Sequence, residues 1–342
     1  MLTALATAYQ VQTNFSERAP LQDKGFDHVT HLAFSIPAGL TNALGLDRRV
    51  GGNAIALCGC AINTLWVIRT GHLSRWKGFA SAEAAMACMH MTLLATRGLT
   101  GPLNLMEGPL GWEEVVGERV QVDWSRESLD RFMESSVKRY NAEGHTQSVL
   151  ECLLDLRAEH GIPAEEVELV EVDAFKQVLN IVGGGEAGDR SRARSKEQAD
   201  HSLPYLCAAA LLDGDVLPEQ FEQARVERDD VQSLMQRVWV RQREDLSERY
   251  PQEMPCRVSV RMCDGRVLVG EKRDYLGFAR TRKLDWSGVV EKFDRLAGPS
   301  LDTALRRAIP EAVQSLDSIQ VSELAEMLGR AEVRDTLRRR VV

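Results

Sequence analysis

Residues 257–269 read RVSVRMCDGRVLV, and two alternating apolar–polar runs flank the pair Asp264-Gly265. Alternation with a period of two is typical of a half-buried β-strand, and Asp-Gly between two such runs is the strongest hairpin signal in this chain. Residues 166–175, EVELVEVDAF, alternate in the same way and predict a further strand. The middle of the chain is therefore predicted to form an α+β domain.

Helical patterns surround these strands. Residues 146–160 predict an amphipathic helix that ends at Gly161 and Pro163. Residues 34–98 are helical almost throughout and rich in Ala and Gly, with predicted helices over 36–46, 53–69 and 80–97. So many small residues on consecutive helices imply close helix–helix packing. This part is expected to be an all-α bundle.

The pattern returns to helices after about residue 276, notably over 286–296 and 321–328. The predicted fold is therefore mainly α with an α+β part. An all-helical domain is built from both chain ends, residues 1–132 and 277–342, and the α+β domain of residues 133–276 is inserted between them.

The composition is that of an ordinary globular protein, with 342 residues, 44% of them hydrophobic and 27% charged. The formal charge of −8 argues against nucleic-acid or membrane-surface binding, although a small basic pocket for an anionic ligand remains compatible with it. The longest apolar stretch, residues 54–68, is too short to span a bilayer. The N-terminus lacks the basic region of a signal peptide. We therefore expect a cytoplasmic protein.

Cysteine usage points to a reducing compartment. The seven Cys residues are scattered, and no C-x-x-C pair exists, so neither a zinc site nor an iron–sulfur cluster is predicted. His28 and His31 have the i, i+3 spacing of two metal ligands on a helix, but no third ligand is evident nearby. We expect no metal and no other cofactor.

A polar, glycine-rich stretch, GGGEAGDRSRARSKEQ at 183–198, is predicted to be a mobile loop. Its glycines match neither G-x-G-x-x-G nor G-K-[ST], so a phosphate cradle is the weaker interpretation. The stretch also carries a basic run, which is typical of a solvated face; the alternative is a lid that closes over an anionic substrate. The basic residues are Arg190, Arg192, Arg194 and Lys196.

Spacing alone leads no further than a possible anion-binding enzyme. Lys77 lies just before an Ala-rich apolar run, where a buried ammonium group needs an anion as a partner. Lys138 and His145 lie in KRYNAEGHTQS at 138–148, and Tyr205 lies in ADHSLPYL at 199–206. Each of these three is unremarkable by itself.

Four stretches of the chain, in this order, resemble the MmgE/PrpD family, which includes 2-methylcitrate dehydratase and cis-aconitate decarboxylase. The most specific of them is the last, and the resemblance covers residues 1 to about 330. Three shorter strings within them, WKG, HTQS and ADHSLPY, are closer to the dehydratase branch. The four stretches are SRWKGFASAEAA (74–85), LTGPLNLMEG (99–108), KRYNAEGHTQS (138–148) and KEQADHSLPYLCAAALLDG (196–214).

The resemblance implies a helical domain built from both chain ends and an α+β lid between them, with the active site in the cleft between the two. It also implies a homodimer that needs no metal. The family's functional positions match seven residues of this chain. Five match catalytic positions: His28 (with His31 as a less secure alternative), Lys77, Lys138, His145 and Tyr205. His201 and Ser202 join the two lysines as substrate-binding positions, although a packing role at a helix start suits them equally well.

These residue types suit the dehydration of a citrate-like acid, in which a carbon-bound proton next to a carboxylate is removed and the leaving hydroxide is protonated. Lys77 and Lys138 would hold carboxylates and stabilise enolate-like charge. His28 or His145 would shuttle protons, because an unperturbed imidazole has a pKa of about 6.5. Tyr205 would donate to the departing oxygen.

One departure from the family pattern bears on activity. Family members carry a D-x-D-D motif and a His-Pro pair in an additional N-terminal segment, and neither motif occurs in this sequence. A helical pattern also begins at Met1 without a capping residue. We therefore expect that the family's first segment is missing here, and a separate N-terminal segment is an expected partner.

The first functional hypothesis is a hydro-lyase of the 2-methylcitrate dehydratase type, which acts on a small di- or tricarboxylate in propionate catabolism and is incomplete as a lone chain. Within the enzyme class, a cis-aconitate decarboxylase-like or epimerase activity is the alternative. The second hypothesis is a catalytically inactive, truncated family member that only folds, dimerises, or binds an anion or a partner.

Overall fold

The computed structural model describes residues 1–331, and the chain forms two compact units. The first unit contains Met1–Ser135 and the short segment Gly184–Arg190. The second contains Ser136–Gly183 and the described chain from Ser191 to residue 331. The predicted class, mainly α with an α+β part, is confirmed.

The first unit is all-α within the described residues. Phe15, Phe34 and Trp112 form the aromatic centre of its core, with the rings of Phe15 and Phe34 stacked at 4.4 Å. The predicted close packing is confirmed where a Cβ on Gly39 would lie 2.9 Å from the carbonyl oxygen of Ala4. Its helices are α1 (Leu2–Arg18), α2 (Leu32–Ala43), α3 (Arg48–Ala61), α4 (Trp76–Thr96) and α5 (Trp112–Val116).

The predicted helix over 53–69 is too long at its C-terminal end, because α3 ends at Ala61. The reason is a tertiary contact at Thr64. Its backbone N–H donates to the Thr30 hydroxyl at 3.0 Å, and its carbonyl accepts from the N–H of Asp27 at 2.8 Å. These bonds compete with the helical ones and attach the chain to the segment that carries His28.

The second unit combines helices with a four-stranded sheet. Its helices are α6 (Gln147–His160), α7 (Lys176–Val182), α8 (Lys196–Ala199), α9 (Leu203–Asp213), α10 (Gln223–Val226), α11 (Asp229–Met235), α12 (Glu244–Ser247), α13 (Trp286–Ala297), α14 (Thr303–Gln314) and α15 (Val321–Gly329). Its strands are β1 (Val167–Ala174), β2 (Val238–Gln242), β3 (Cys256–Met262) and β4 (Val267–Lys272).

The strand order is β2-β1-β3-β4. β1 and β2 are parallel, whereas β3 is antiparallel to both of its neighbours. The predicted strand over 166–175 and the predicted hairpin are confirmed, and Gly265 adopts a φ of +87° in the hairpin turn. β2 was not predicted from the sequence, because its five residues, VWVRQ, are too few to establish a period.

Helix α6 packs against β3 and β4. Their closest approach is at Gly270, where an added Cβ would lie 2.7 Å from Cys152 Sγ and 3.2 Å from Leu156 Cγ. A Cβ is essentially never found so close to another heavy atom, so only glycine fits between β4 and α6 without a shift.

The helices predicted over 286–296 and 321–328 are confirmed as α13 and α15. In the described chain they group with the second unit. The return of residues 277–342 to the helical domain stays a prediction, as do the other domain boundaries, and residues 332–342 lie outside the described residues. None of the helices described within residues 1–331 is both long enough and apolar enough to cross a bilayer.

The hairpin provides a matched test of the core. Val258 is fully buried on β3, whereas Val269 on β4 is 57% exposed. We expect Val258→Ala to lower the free energy of unfolding by about 2 kcal/mol, because two buried methylene equivalents are lost and a cavity remains. Val269→Ala is expected to cost less than about 1 kcal/mol. Urea unfolding followed by circular dichroism measures both values, and equal losses would contradict this assignment of the core face.

Candidate active site

A buried amide shapes the segment that carries Lys138 and His145. The side chain of Gln147, at the start of α6, is inaccessible to solvent. Its Oε1 accepts the backbone N–H groups of Arg139 and Tyr140, both at 2.9 Å. Its Nε2 donates to the carbonyls of Tyr140 and Glu143, both at 3.3 Å. One side chain therefore fixes the course of residues 139–143.

Glu143 orients His145. Its Oε2 accepts the backbone N–H of His145 at 2.7 Å, which caps the single helical turn Gly144–Thr146. Its Oε1 lies 2.8 Å from Nδ1 of the His145 ring. A carboxylate oxygen can only accept, so Nδ1 carries a proton. Nε2, the other ring nitrogen, is left to face Tyr250.

The two charges of this pair stabilise each other. Burial would raise the pKa of the Glu143 carboxyl, but the charge and hydrogen bond of His145 lower it to about 2. Burial would lower the pKa of His145, but the charge and hydrogen bond of Glu143 raise it above the ordinary 6.5. Glu143 therefore stabilises the fold above pH 4.5, and this contribution is lost as the pH falls through its folded pKa. His145 contributes fully below pH 6.5 and loses its contribution as the pH rises through its own folded pKa.

Tyr250 completes a row of three groups. Its hydroxyl oxygen lies 3.3 Å from Nε2 of His145, and its ring stacks on buried Phe175 with centroids 4.5 Å apart and planes at 11°. Burial and the charge of Glu143 raise the pKa of Tyr250 above its ordinary value of 10. The phenol is therefore neutral in the resting protein and can donate a proton.

Two lysines, Lys138 and Lys292, lie next to each other near this row. Lys292, on α13, donates from Nζ to the backbone carbonyl of Lys138. Burial and the charge of Lys138 lower the pKa of Lys292, and the charge of Lys138 also opposes the protonation of His145. The Lys138 side chain comes within 3.9 Å of the place where a Cβ on Gly144 would lie. Such a cluster of cations favours a bound anion.

A second acid–imidazole pair, Asp200 and His201, lies close to Glu143. Asp200 Oδ1 is 2.5 Å from Nδ1 of His201, and Asp200 Oδ2 is 2.6 Å from Nζ of Lys196. The backbone N–H of Glu143 donates to the Asp200 carbonyl at 3.2 Å, and the charge of His201 contributes to the low pKa of Glu143. His201 is therefore electrostatically coupled to the Glu143–His145 pair.

Ser202 and Tyr205 occupy structural positions at the start of α9. The Ser202 hydroxyl caps this helix by accepting the N–H of Tyr205 at 3.2 Å, which is the helix-start role that the sequence left open. The Tyr205 side chain is fully buried, and its hydroxyl donates to the carbonyl of Gln220. Burial raises its pKa to about 12. A proton-donor role for Tyr205 stays a prediction, and this placement does not favour it.

In the first unit, His28 is 61% exposed, with Nδ1 3.5 Å from Oδ1 of buried Asp27. Arg69 binds both oxygens of Asp27 and places Nη2 3.4 Å from Nε2 of His28. Burial would raise the pKa of Asp27, but the hydrogen bond from Arg69 lowers it. Asp27 therefore remains charged and ties His28 and Arg69 together.

His31, the alternative to His28, is a core residue. Its ring is buried against Phe15 and Trp112, and Nε2 bonds the Ala19 carbonyl at 3.0 Å. Burial lowers its pKa to about 4, so it is neutral near pH 7. Lys77 is half-buried in the first turn of α4, after Trp76, which lines an open cleft of about 440 Å³.

Arg190 does not lie on the solvated face predicted for the basic run. It is 3% exposed, and its guanidinium donates to the carbonyls of Gly71 at 2.9 Å and Ala187 at 3.0 Å. These hydrogen bonds fix the chain around Arg190, because the N–H donors of a buried guanidinium must find acceptors within the protein.

Sequence reasoning missed Glu143, Asp200, Tyr250 and Lys292. Glu143 had a local signal, since an acid two residues before His145 can cap the turn between them. Tyr250 had none, because 105 residues separate it from His145 along the chain. Within residues 1–331, no group of three or more His, Cys, Asp or Glu side chains is arranged to hold a metal ion.

Comparison with known proteins adds independent information. Two family models match the chain, the MmgE/PrpD N-terminal domain over residues 1–125 and the MmgE/PrpD C-terminal domain over residues 140–318. The chain is 27% identical over 220 residues to a 2-methylcitrate dehydratase-like protein of Aspergillus oryzae. The aligned residues make up 63% of this chain and 44% of that protein.

Two further relatives align over longer stretches. The 2-methylcitrate dehydratase of Cupriavidus necator is 24% identical over 305 residues, which is 86% of this chain and 62% of that protein. The cis-aconitate decarboxylase of Homo sapiens is 24% identical over 297 residues, which is 83% of this chain and 58% of that protein. The chain thus spans between 44% and 62% of the length of these curated relatives.

The ion pair predicts a measurable titration. We expect His145 to titrate above pH 6.5, and Glu143→Gln to lower that pKa by about one unit or more, because a neutral amide replaces the adjacent charge. Nitrogen-detected NMR titration of the imidazole rings measures this, with His145 assigned by its absence in His145→Gln. His160, beside an unaltered Glu159, serves as the internal reference. An unchanged His145 pKa in Glu143→Gln would contradict the pairing.

Proposed function

The chain belongs to the MmgE/PrpD family, and we propose from this premise that it is a hydro-lyase of the 2-methylcitrate dehydratase type. The proposed substrate class is a citrate-like di- or tricarboxylate. The observation that carries the proposal is the placement of His145, which Glu143 orients, near the cation of Lys138, to which Lys292 adds a second cation. Relatives named as 2-methylcitrate dehydratases support it.

This arrangement suits the removal of a proton next to a carboxylate. The lysines would bind the carboxylate and stabilise the negative charge that spreads onto it as the carbon–hydrogen bond breaks. The neutral Nε2 of His145 would take the proton, and Glu143 would stabilise the imidazolium that results. The raised pKa of His145 makes it a stronger base than an isolated imidazole.

The remaining matches to the family are part of the same proposal. His28 and Lys77 in the first unit, and His201, Ser202 and Tyr205 in the second, are proposed site residues on the strength of the resemblance. A homodimer in the cytoplasm is likewise proposed.

A decarboxylase is the second candidate, because the human relative is named cis-aconitate decarboxylase. The test is to incubate the protein, together with the N-terminal segment of a family member, separately with 2-methylcitrate, citrate and cis-aconitate and to follow products by NMR. Loss of water with formation of an unsaturated acid is the expected result. Release of carbon dioxide would favour the decarboxylase, and binding without conversion would favour a non-catalytic protein.

Affinity tests the lysine cluster without turnover. We expect Lys138→Ala and Lys292→Ala each to weaken citrate binding by about tenfold or more, since a hydrogen bond to a charged group contributes about 1.5–3 kcal/mol. Calorimetric titration at low salt measures the affinities. Lys283→Ala, which removes an exposed lysine of the same unit, is the matched control. Equal affinities in all four proteins would remove the lysines from the site.

A further inference from the structure

We propose that Tyr250 is a catalytic residue of the dehydration, whose phenol gives the proton that turns the leaving hydroxyl into water and is then restored by His145. This inference rests on the proposed function and assigns the second of its two proton transfers. It replaces Tyr205 as the proton donor suggested by the sequence.

The geometry forms a continuous row from carboxylate to phenol. Glu143 Oε1 is 2.8 Å from Nδ1 of His145, and Nε2 is 3.3 Å from the Tyr250 hydroxyl. With its proton held at Nδ1, the neutral ring presents a lone pair at Nε2 toward the phenol. A carboxylate, an imidazole and a hydroxyl in this order are an established arrangement for moving protons.

The rings are fixed by packing. Phe175, which is 1% exposed, stacks on Tyr250 and lies 5.9 Å from the ring of His145. A buried wall in contact with both rings limits their movement and holds the two reacting groups at one separation. Such rigidity favours proton transfer, which depends steeply on geometry.

Accessibility separates the two tyrosines. Tyr250 is half-buried and the side chain of His145 is 22% exposed, so both side chains are partly accessible from solvent. The Tyr205 side chain is fully buried, and its hydroxyl donates a hydrogen bond to a backbone carbonyl. A carbonyl cannot restore the proton of a phenolate. The hydroxyl of Tyr250 instead contacts the imidazole of His145, which can restore that proton.

The reaction balances without a further reactant. Nε2 of neutral His145 takes the carbon-bound proton next to a substrate carboxylate, and the electron pair of that bond becomes the second bond of the alkene. The carbon–oxygen bond breaks with its pair on oxygen, which takes the Tyr250 proton and leaves as water. The imidazolium then returns its proton across the 3.3 Å contact to the phenolate. Both side chains end as they began.

The two transfers can be measured separately. Tyr250→Phe keeps the ring that stacks on Phe175 and removes only the hydroxyl. We expect it to lower kcat by about 100-fold to 10,000-fold with little change in KM. Exchange of the substrate's carbon-bound proton with heavy water should persist in Tyr250→Phe and stop in His145→Gln, because His145 performs that step. Tyr140→Phe, which removes the hydroxyl of another buried tyrosine in the same unit, is the control.

The outcomes distinguish this inference from the proposed function. Unchanged kcat in Tyr250→Phe would overturn the role of Tyr250 and leave the hydro-lyase standing. Loss of exchange together with turnover in Tyr250→Phe would make Tyr250 a positioning residue of His145, and would also overturn the proposal. Neither turnover nor exchange in the unmodified protein, with the N-terminal segment of a family member supplied and with any citrate-like acid, would overturn both. Citrate affinity and circular dichroism confirm that each variant folds.

Discussion

The side chains of Gln147 and Glu151 lie one turn apart on α6 and are both buried, and the arrangement of the second unit depends on them. Gln147 binds the backbone of residues 139–143. Glu151 accepts from Arg282 at 2.7 Å and lies 3.6 Å from Arg139. Because a buried polar group without a partner is costly, these bonds permit few alternative paths for the segment. The position of His145 follows from these bonds, because His145 comes directly after the segment that Gln147 binds.

Local patterns predicted much of the fold. The hairpin around Gly265 and helix α6 follow from periodicity and from glycines at their ends, which are properties of neighbouring residues. The end of α3 depends on a bond between Thr64 and Thr30, which no window of sequence contains. Arg190 likewise has the composition of a surface residue, and the carbonyls that bury it become visible only in the folded chain.

The residues of the candidate site also fall into those that the sequence predicted and those that only the folded chain brings together. The resemblance supplied Lys138 and His145, because both lie in one continuous motif. Tyr250 and Lys292 come from elements far along the chain, and only the fold brings them to that motif. The global charge was equally uninformative, since a chain of net charge −8 places Lys138 near the imidazole of His145 and Lys292 beside Lys138. The nearest charges determine the potential in a site, and the acids beside it are already paired with His145, His201 and Lys196.

Gly270 links the sheet to this chemistry. Helix α6 holds the His145 segment at its first turn and meets β4 at Cys152 and Leu156. A side chain at position 270 would require the Cys152 side chain or α6 itself to shift, and α6 carries the Gln147 side chain that binds the His145 segment. Substitutions at these positions are therefore not independent. A lineage that gained a methyl group at 270 would need room at residue 152, so the sequences open to this hairpin are linked to the helix that holds the His145 segment.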